Sequence, residues 1–233
     1  MIKIKTLTAV TCLLLAPVLS YGQDEKQADE PEVMGPEFRD PGEQSVPVAD
    51  EPSITDELRG TAFDPDATDE QRLQAAFGRY RELINEGTLD EADTVAKQIV
   101  ELAIKVYGPQ SRETANALNN LGIVQHGNGQ FDAAIQNFTS SVEIIEAVED
   151  RLNAALVNPL KGLGAAQLGI GRPDQAKKTF TRAAHITQVN EGPHNLDQVE
   201  ILESIAETYI RMDDPKEARE ILDRIHIINV KHF

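Results

Sequence analysis

From Asp69 onward the apolar and small positions of the chain return at a fixed interval of 42 residues. Gly87-Thr88-Leu89-Asp90-Glu91-Ala92 aligns with Gly129-Gln130-Phe131-Asp132-Ala133-Ala134, with Gly171-Arg172-Pro173-Asp174-Gln175-Ala176 and with Asp213-Asp214-Pro215-Lys216-Glu217-Ala218. No insertion or deletion interrupts the four units, and the glycine column holds until Asp213 takes its place. Ahead of Ala134, Ala176 and Ala218 stand Leu121-Gly122, Leu163-Gly164 and Ile205-Ala206, preceded by Leu118, Leu160 and Leu202; behind them come Phe138, Phe180 and Leu222. An apolar residue followed by an apolar-small pair three and four positions on marks one helix face, and the small residue lets a second helix approach closely. The glycine-centred turn reverses the chain into that second helix. Gly108-Pro109-Gln110-Ser111 and Gly192-Pro193-His194-Asn195 supply helix stops followed by restart signals. The pattern therefore predicts helical hairpins at about 69–110, 111–152, 153–194 and 195–233.

These columns resemble tetratricopeptide repeats, specifically the 42-residue type of kinesin light chains and many bacterial proteins. The second unit carries the resemblance in Leu118, Leu121-Gly122, Gly129, Phe131, Ala134 and Phe138, and the third in Leu160, Leu163-Gly164, Gly171, Ala176, Phe180 and Ala183. The fourth keeps Leu202, Tyr209, Ala218 and Leu222, while the first departs most, with Tyr80 where Gly or Ala is expected and Ala96 in a large-residue column. The resemblance implies an all-α fold, an α-solenoid of four tetratricopeptide-like hairpins over 69–233. Its implied activity is binding of a protein or peptide in the concave groove lined by the first helix of each pair.

Carried across, the groove columns are Gln74, Phe77, Arg81, Ile84 and Asn85, then Asn116, Asn119, Ile123 and His126. The third unit adds Asn158, Lys161, Ala165 and Leu168, and the fourth Glu200, Glu203, Glu207 and Arg211. Asn116 and Asn158 share a column, and amide side chains both donate to and accept from a ligand backbone. A second reading stands beside this one, in which an Asn near a helix start is a local cap. The Lys and Arg pattern by which chaperone-binding members clamp a terminal carboxylate is not reproduced; only Asn120 occupies a matching column. Glu200, Glu203 and Glu207 form an acidic helix face, which suits a basic ligand or a solvated surface.

Composition narrows the partner class. The 233 residues carry 22 Lys and Arg against 39 Asp and Glu, a formal charge of −17 with a pI near 4.6, so nucleic acid is an unsuitable partner. Aromatic residues make up 5% and Trp is absent, which disfavours a β sandwich. Lys3 and Lys5, the apolar run Leu7–Leu19 and the small residues before Gln23 read as a signal peptide over 1–22. An uncleaved anchor is the alternative, disfavoured by the short run and Pro17. Cleavage would remove Cys12, the single cysteine, leaving a mature chain without disulfide or thiolate chemistry and without a membrane span, and periplasmic delivery is the expectation. Residues 23–68 form a Pro-rich acidic block, and Gln23–Glu70 holds 16 acidic and 3 basic residues. An extended, mobile arm is expected there, either a solubilising linker or a docking arm with Met34, Phe38 and Ile54 as apolar handles.

Catalytic signatures are missing from the sequence: there is no phosphate-binding glycine loop, His-Glu-x-x-His motif or nucleophile elbow. His185, Glu191, His194 and Asp197 lack the short spacings of a structural zinc site. The sequence thus predicts no enzyme, no cofactor and no metal. Toward the carboxyl end, Ile221, Leu222, Ile225, Ile227, Ile228, Val230 and Phe233 make the final helix apolar on more than one side. That suggests self-association through Ile221, Ile227, Ile228, Val230 and Phe233 as a homodimer, or a natural chain that continues. The leading expectation is a non-enzymatic envelope scaffold that binds through its groove. Its rivals are a homotypic self-assembly module and the repeat segment of a larger envelope energy-transduction protein.

Overall fold

The computed structural model describes residues 67–232; the signal peptide expected at 1–22, nearly all of the expected acidic arm and Phe233 lie outside the described residues. Among the described residues eight α-helices follow one another: α1 (Asp69–Glu86), α2 (Leu89–Tyr107), α3 (Arg112–Gly127), α4 (Phe131–Val148), α5 (Val157–Gly169), α6 (Pro173–Glu191), α7 (Asp197–Arg211) and α8 (Pro215–His232). A single 3₁₀ turn, Ala154–Leu156, precedes α5.

The stops and starts follow from named residues. Thr68 opens α1 with a capping box, its hydroxyl accepting from Gln71 N at 3.3 Å while Gln71 Oε1 accepts from Thr68 N at 2.9 Å. Within the hairpins, Gly87, Gly129 and Gly171 turn the chain at φ of 75°, 72° and 73°. Asp213 takes the same left-handed conformation at φ 58°, although it carries a Cβ. Between hairpins, the carbonyls of Gly108 and Gly192 accept from buried side chains two periods apart, Thr114 Oγ1 at 2.8 Å and Gln198 Nε2 at 2.6 Å. The loop between the second and third hairpins lacks that glycine; the 3₁₀ turn, capped by Asn153, replaces the motif and buries Leu156.

Each helix packs on the one before and the one after it, which makes the array a stack of hairpins. The first helices α3, α5 and α7 also touch their counterparts in the neighbouring hairpins, and the second helices make no comparable contact. The first helices therefore line the inner side of the curve. The small positions decide how closely the layers meet. A Cβ built on Gly122 would lie 2.8 Å from the Phe138 ring, and one on Gly164 2.7 Å from the Phe180 ring. Phe138, fully buried, is also the tightest neighbour of Gly162 in the next hairpin, where a Cβ would come within 2.4 Å. Gly169 receives Phe131 in the same manner, with 2.7 Å left for a Cβ.

The departures in the first hairpin are resolved by an exchange of sizes. Tyr80 stands in the column of Gly122 and Gly164, and Ala96 in the column of Phe138 and Phe180; both are buried in one cluster. The ring has moved from the second helix to the first. Tyr80 Oη donates to Asn120 O at 3.3 Å, tying the first hairpin to the second. Burial raises the Tyr80 phenol to about 12.

The last helix corrects one expectation. Ile225 and Ile228 belong to the core, with Ile228 1% exposed, and Ile221 packs against it, so Ile228 is no interface residue. Leu222, Ile227 and Val230 are the exposed apolar groups of α8.

Candidate protein-binding face

The inner side is built by α1, α3, α5 and α7, and the columns derived from the sequence divide on it. Asn116 and Asn158 are exposed, one on α3 and one on α5, a full period apart. Neither caps a helix: Ser111 caps α3, accepting from Thr114 N at 3.1 Å, and Asn153 caps the turn before α5. Among the described residues neither amide has a hydrogen-bond partner, and both side chains are exposed. Arg81 is exposed on α1, and Phe77 is half-buried at the margin of the first cluster. Ile123 is partly buried against the Phe138 cluster.

Other members of the list are committed elsewhere. Leu168 is 7% exposed and belongs to the main core, so it does not line an open groove. Asn119 is also buried, at 6%, and its Oδ1 accepts no hydrogen bond among the described residues. The periodic rule fails at both because contact between successive first helices covers the middle of the inner side. Lys161 Nζ meets Glu200 at 2.6 Å, joining α5 to α7. Arg211 binds Glu207 at 2.7 Å and donates to Leu168 O at 3.4 Å. The acidic face expected of Glu200, Glu203 and Glu207 is thus two-thirds neutralised, leaving Glu203 exposed without an ion-pair partner among the described residues.

His126 sits half-buried between α3 and α5, its ring edge-on to Phe131 with centroids 5.3 Å apart. Burial holds its imidazole below the usual histidine range, and a hydrogen bond with the Ala165 main chain opposes that shift. His185 is exposed on α6, whereas His194 Nε2 lies 2.6 Å from Lys231 Nζ. No group of three or more potential metal ligands is assembled among the described residues, and none of the described helices is long and apolar enough to cross a membrane.

The sequence reading missed Gly162 and Gly169 as packing positions and the basic outer face of α6. Gly169 repeats Gly127, and Phe131 repeats Leu89, each 42 residues apart, so the signal was present in columns outside the chosen face.

Residues 83–147 match the family model described as tetratricopeptide repeat. Among solved structures, the chain is similar to BtubC (BKLC) from P. vanneervenii at 17% identity and a TM-score of 0.66, covering 75% of this chain and 70% of that one. It is also similar to a kinesin-light-chain protein of Podosopora anserina with nearly identical TPR-like repeats. There identity is 16% and the TM-score 0.65, covering 76% of this chain and 86% of that one. MamA MSR-1 is a third similar structure, at 19% identity and a TM-score of 0.55, with 77% of this chain and 87% of that one covered. No curated protein matches the sequence. The fold is an all-α solenoid of tetratricopeptide-like hairpins.

Proposed function

We propose that the protein is a non-enzymatic scaffold of the bacterial cell envelope that holds a protein or peptide against the inner side of its repeat array. The observation that carries this reading is the pair Asn116 and Asn158, exposed a full period apart with unused amide groups. Side chains that cap nothing and bond nothing within the chain are positioned for a ligand backbone, which they can pair with whatever the ligand's side chains are. Selectivity then comes from the groups around them, Phe77 and Arg81 at one end and the paired Glu207 and Arg211 at the other. Localisation in the periplasm rests on the signal-like residues 1–22.

The test is affinity capture from envelope extract with the chain from Gln23 onward as bait, beside Asn116→Ala with Asn158→Ala. A partner held by the native chain and lost from the double variant supports the reading; equal capture by both contradicts it.

Self-assembly through α8 is the second reading, favoured by exposure of Leu222, Ile227 and Val230 at 50%, 51% and 62%. Against it, His226 and Asn229 occupy the positions where α6 buries Ala184 and Thr187. A polar residue at a stacking position gives this end the character of a solenoid cap.

A further inference from the structure

The outer face of α6 is unlike those of its counterparts. Where α2 exposes Thr94 and Glu101 and α4 exposes Gln136 and Glu143, α6 exposes Lys178 and His185 in the same columns. Lys177, Lys178, Arg182 and His185, with Tyr209 of α7, line a shallow depression of about 420 Å³. Lys177 Nζ lies 5.4 Å from the centre of the Tyr209 ring, and Arg182 is paired with Glu146. Lys178 is exposed and has no ion-pair partner among the described residues. A concentrated cationic face on a chain of net charge −17 asks for an anionic occupant, and the chain itself contains one. Fourteen of the acids in the Pro-rich block precede Ala67, against three basic residues.

We propose that this acidic segment, residues 24–66, docks on the basic outer face of α6 in the same molecule. Reach is no obstacle. Forty-three residues extend to as much as roughly 140 Å, whereas eight helices packed about 10 Å apart span on the order of 80 Å. Tethering supplies an effective concentration of about millimolar order, so individually weak charge contacts suffice. The inner side is the poorer seat: Lys161 and Arg211 are already engaged by Glu200 and Glu207, Glu203 stands exposed, and Arg81 is the exposed cation that remains. Docking on the outer face leaves the inner side open to a partner, so the inference stands independently of the groove reading.

Zero-length carbodiimide cross-linking of the full chain at low salt, mapped by peptide mass spectrometry, tests this. Links from carboxylates of 24–66 to Lys177 and Lys178 should exceed those to Lys97, Lys105 and Lys216 by about tenfold and fade at high salt. Thr181→Glu with His185→Glu leaves both acceptor lysines and the buried face of α6 intact, and should cut their yield about tenfold. A mixture of isotopically heavy and light chain should give links within one chain. Links spread evenly over the lysines, links concentrated on Lys161, a yield unmoved by the double variant, or links predominantly between heavy and light chains would each overturn the proposal.

Discussion

At the scale of single residues, the exchange between Tyr80 and Ala96 shows how a repeat tolerates a broken column. The core of the first hairpin needs one large ring between the two helices, and it accepts that ring from either side. Ala96→Phe alone overpacks a filled space and should cost about 1–3 kcal/mol, while Tyr80→Gly alone leaves a cavity costing about 3–5 kcal/mol. Combined, the two changes rebuild the arrangement of Gly122 and Phe138, so the double variant should be markedly more stable than the sum of the singles. Urea unfolding of all four chains checks this; simple additivity would show that the two sites are uncoupled. Titration gives a second residue-level test. His126 is held low by burial, so unfolded chains bind more protons than folded ones below the ordinary histidine value. Its stability contribution is present above that value and is lost as pH falls through the folded one. His126→Gln should flatten the decline in melting temperature below about pH 6.5. Tyr80 acts oppositely at alkaline pH, where burial raises the phenol from 10.0 to about 12 in the folded chain, so stability should fall across that interval and Tyr80→Phe should remove the fall.

At the scale of the element, close approach is the controlling quantity. Phe138 is clasped by Gly122 of its own hairpin and Gly162 of the next, so one side chain sets both the width of a hairpin and the spacing between two. Gly162→Val has no room at 2.4 Å and should destabilise the array by about 1–3 kcal/mol or more. A melting temperature equal to that of the native chain would contradict this register. Asp213 should respond with the opposite sign. Glycine at this left-handed position relieves a Cβ penalty partly offset by chain entropy, so Asp213→Gly is expected to raise stability by about 0.5 kcal/mol. The hairpins, their turns and their small contact positions were legible because helical spacing and the 42-residue period constrain each other. Burial on the inner side was not: Leu168 and Asn119 satisfy the column rule for a groove, yet the fit between successive first helices encloses them. Ion pairing was equally invisible, since Lys161 and Glu200 are 39 residues apart and the period does not force their side chains together.

At the scale of the whole molecule, the array presents three distinct surfaces. The inner side offers uncommitted amides, the outer face of α6 concentrates positive charge, and the α8 end mixes exposed Leu222, Ile227 and Val230 with His226 and Asn229. Ile228→Glu cannot test association at that end, because it places a charge in the core. Ile227→Glu with Val230→Glu can, since both positions are exposed. If the end is a cap, native and variant chains sediment alike as monomers; a native dimer that the variant dissolves would favour self-assembly. In the proposed function, ligands are held by the inner side. The most direct measurement selects peptides from a random display library against the chain from Gln23 onward, then titrates them into isotopically labelled protein while following the side-chain amide resonances. The Asn116 and Asn158 amides should shift together with ligand and lose the interaction on conversion to alanine; shifts confined to α8 or the outer face of α6 would contradict the account.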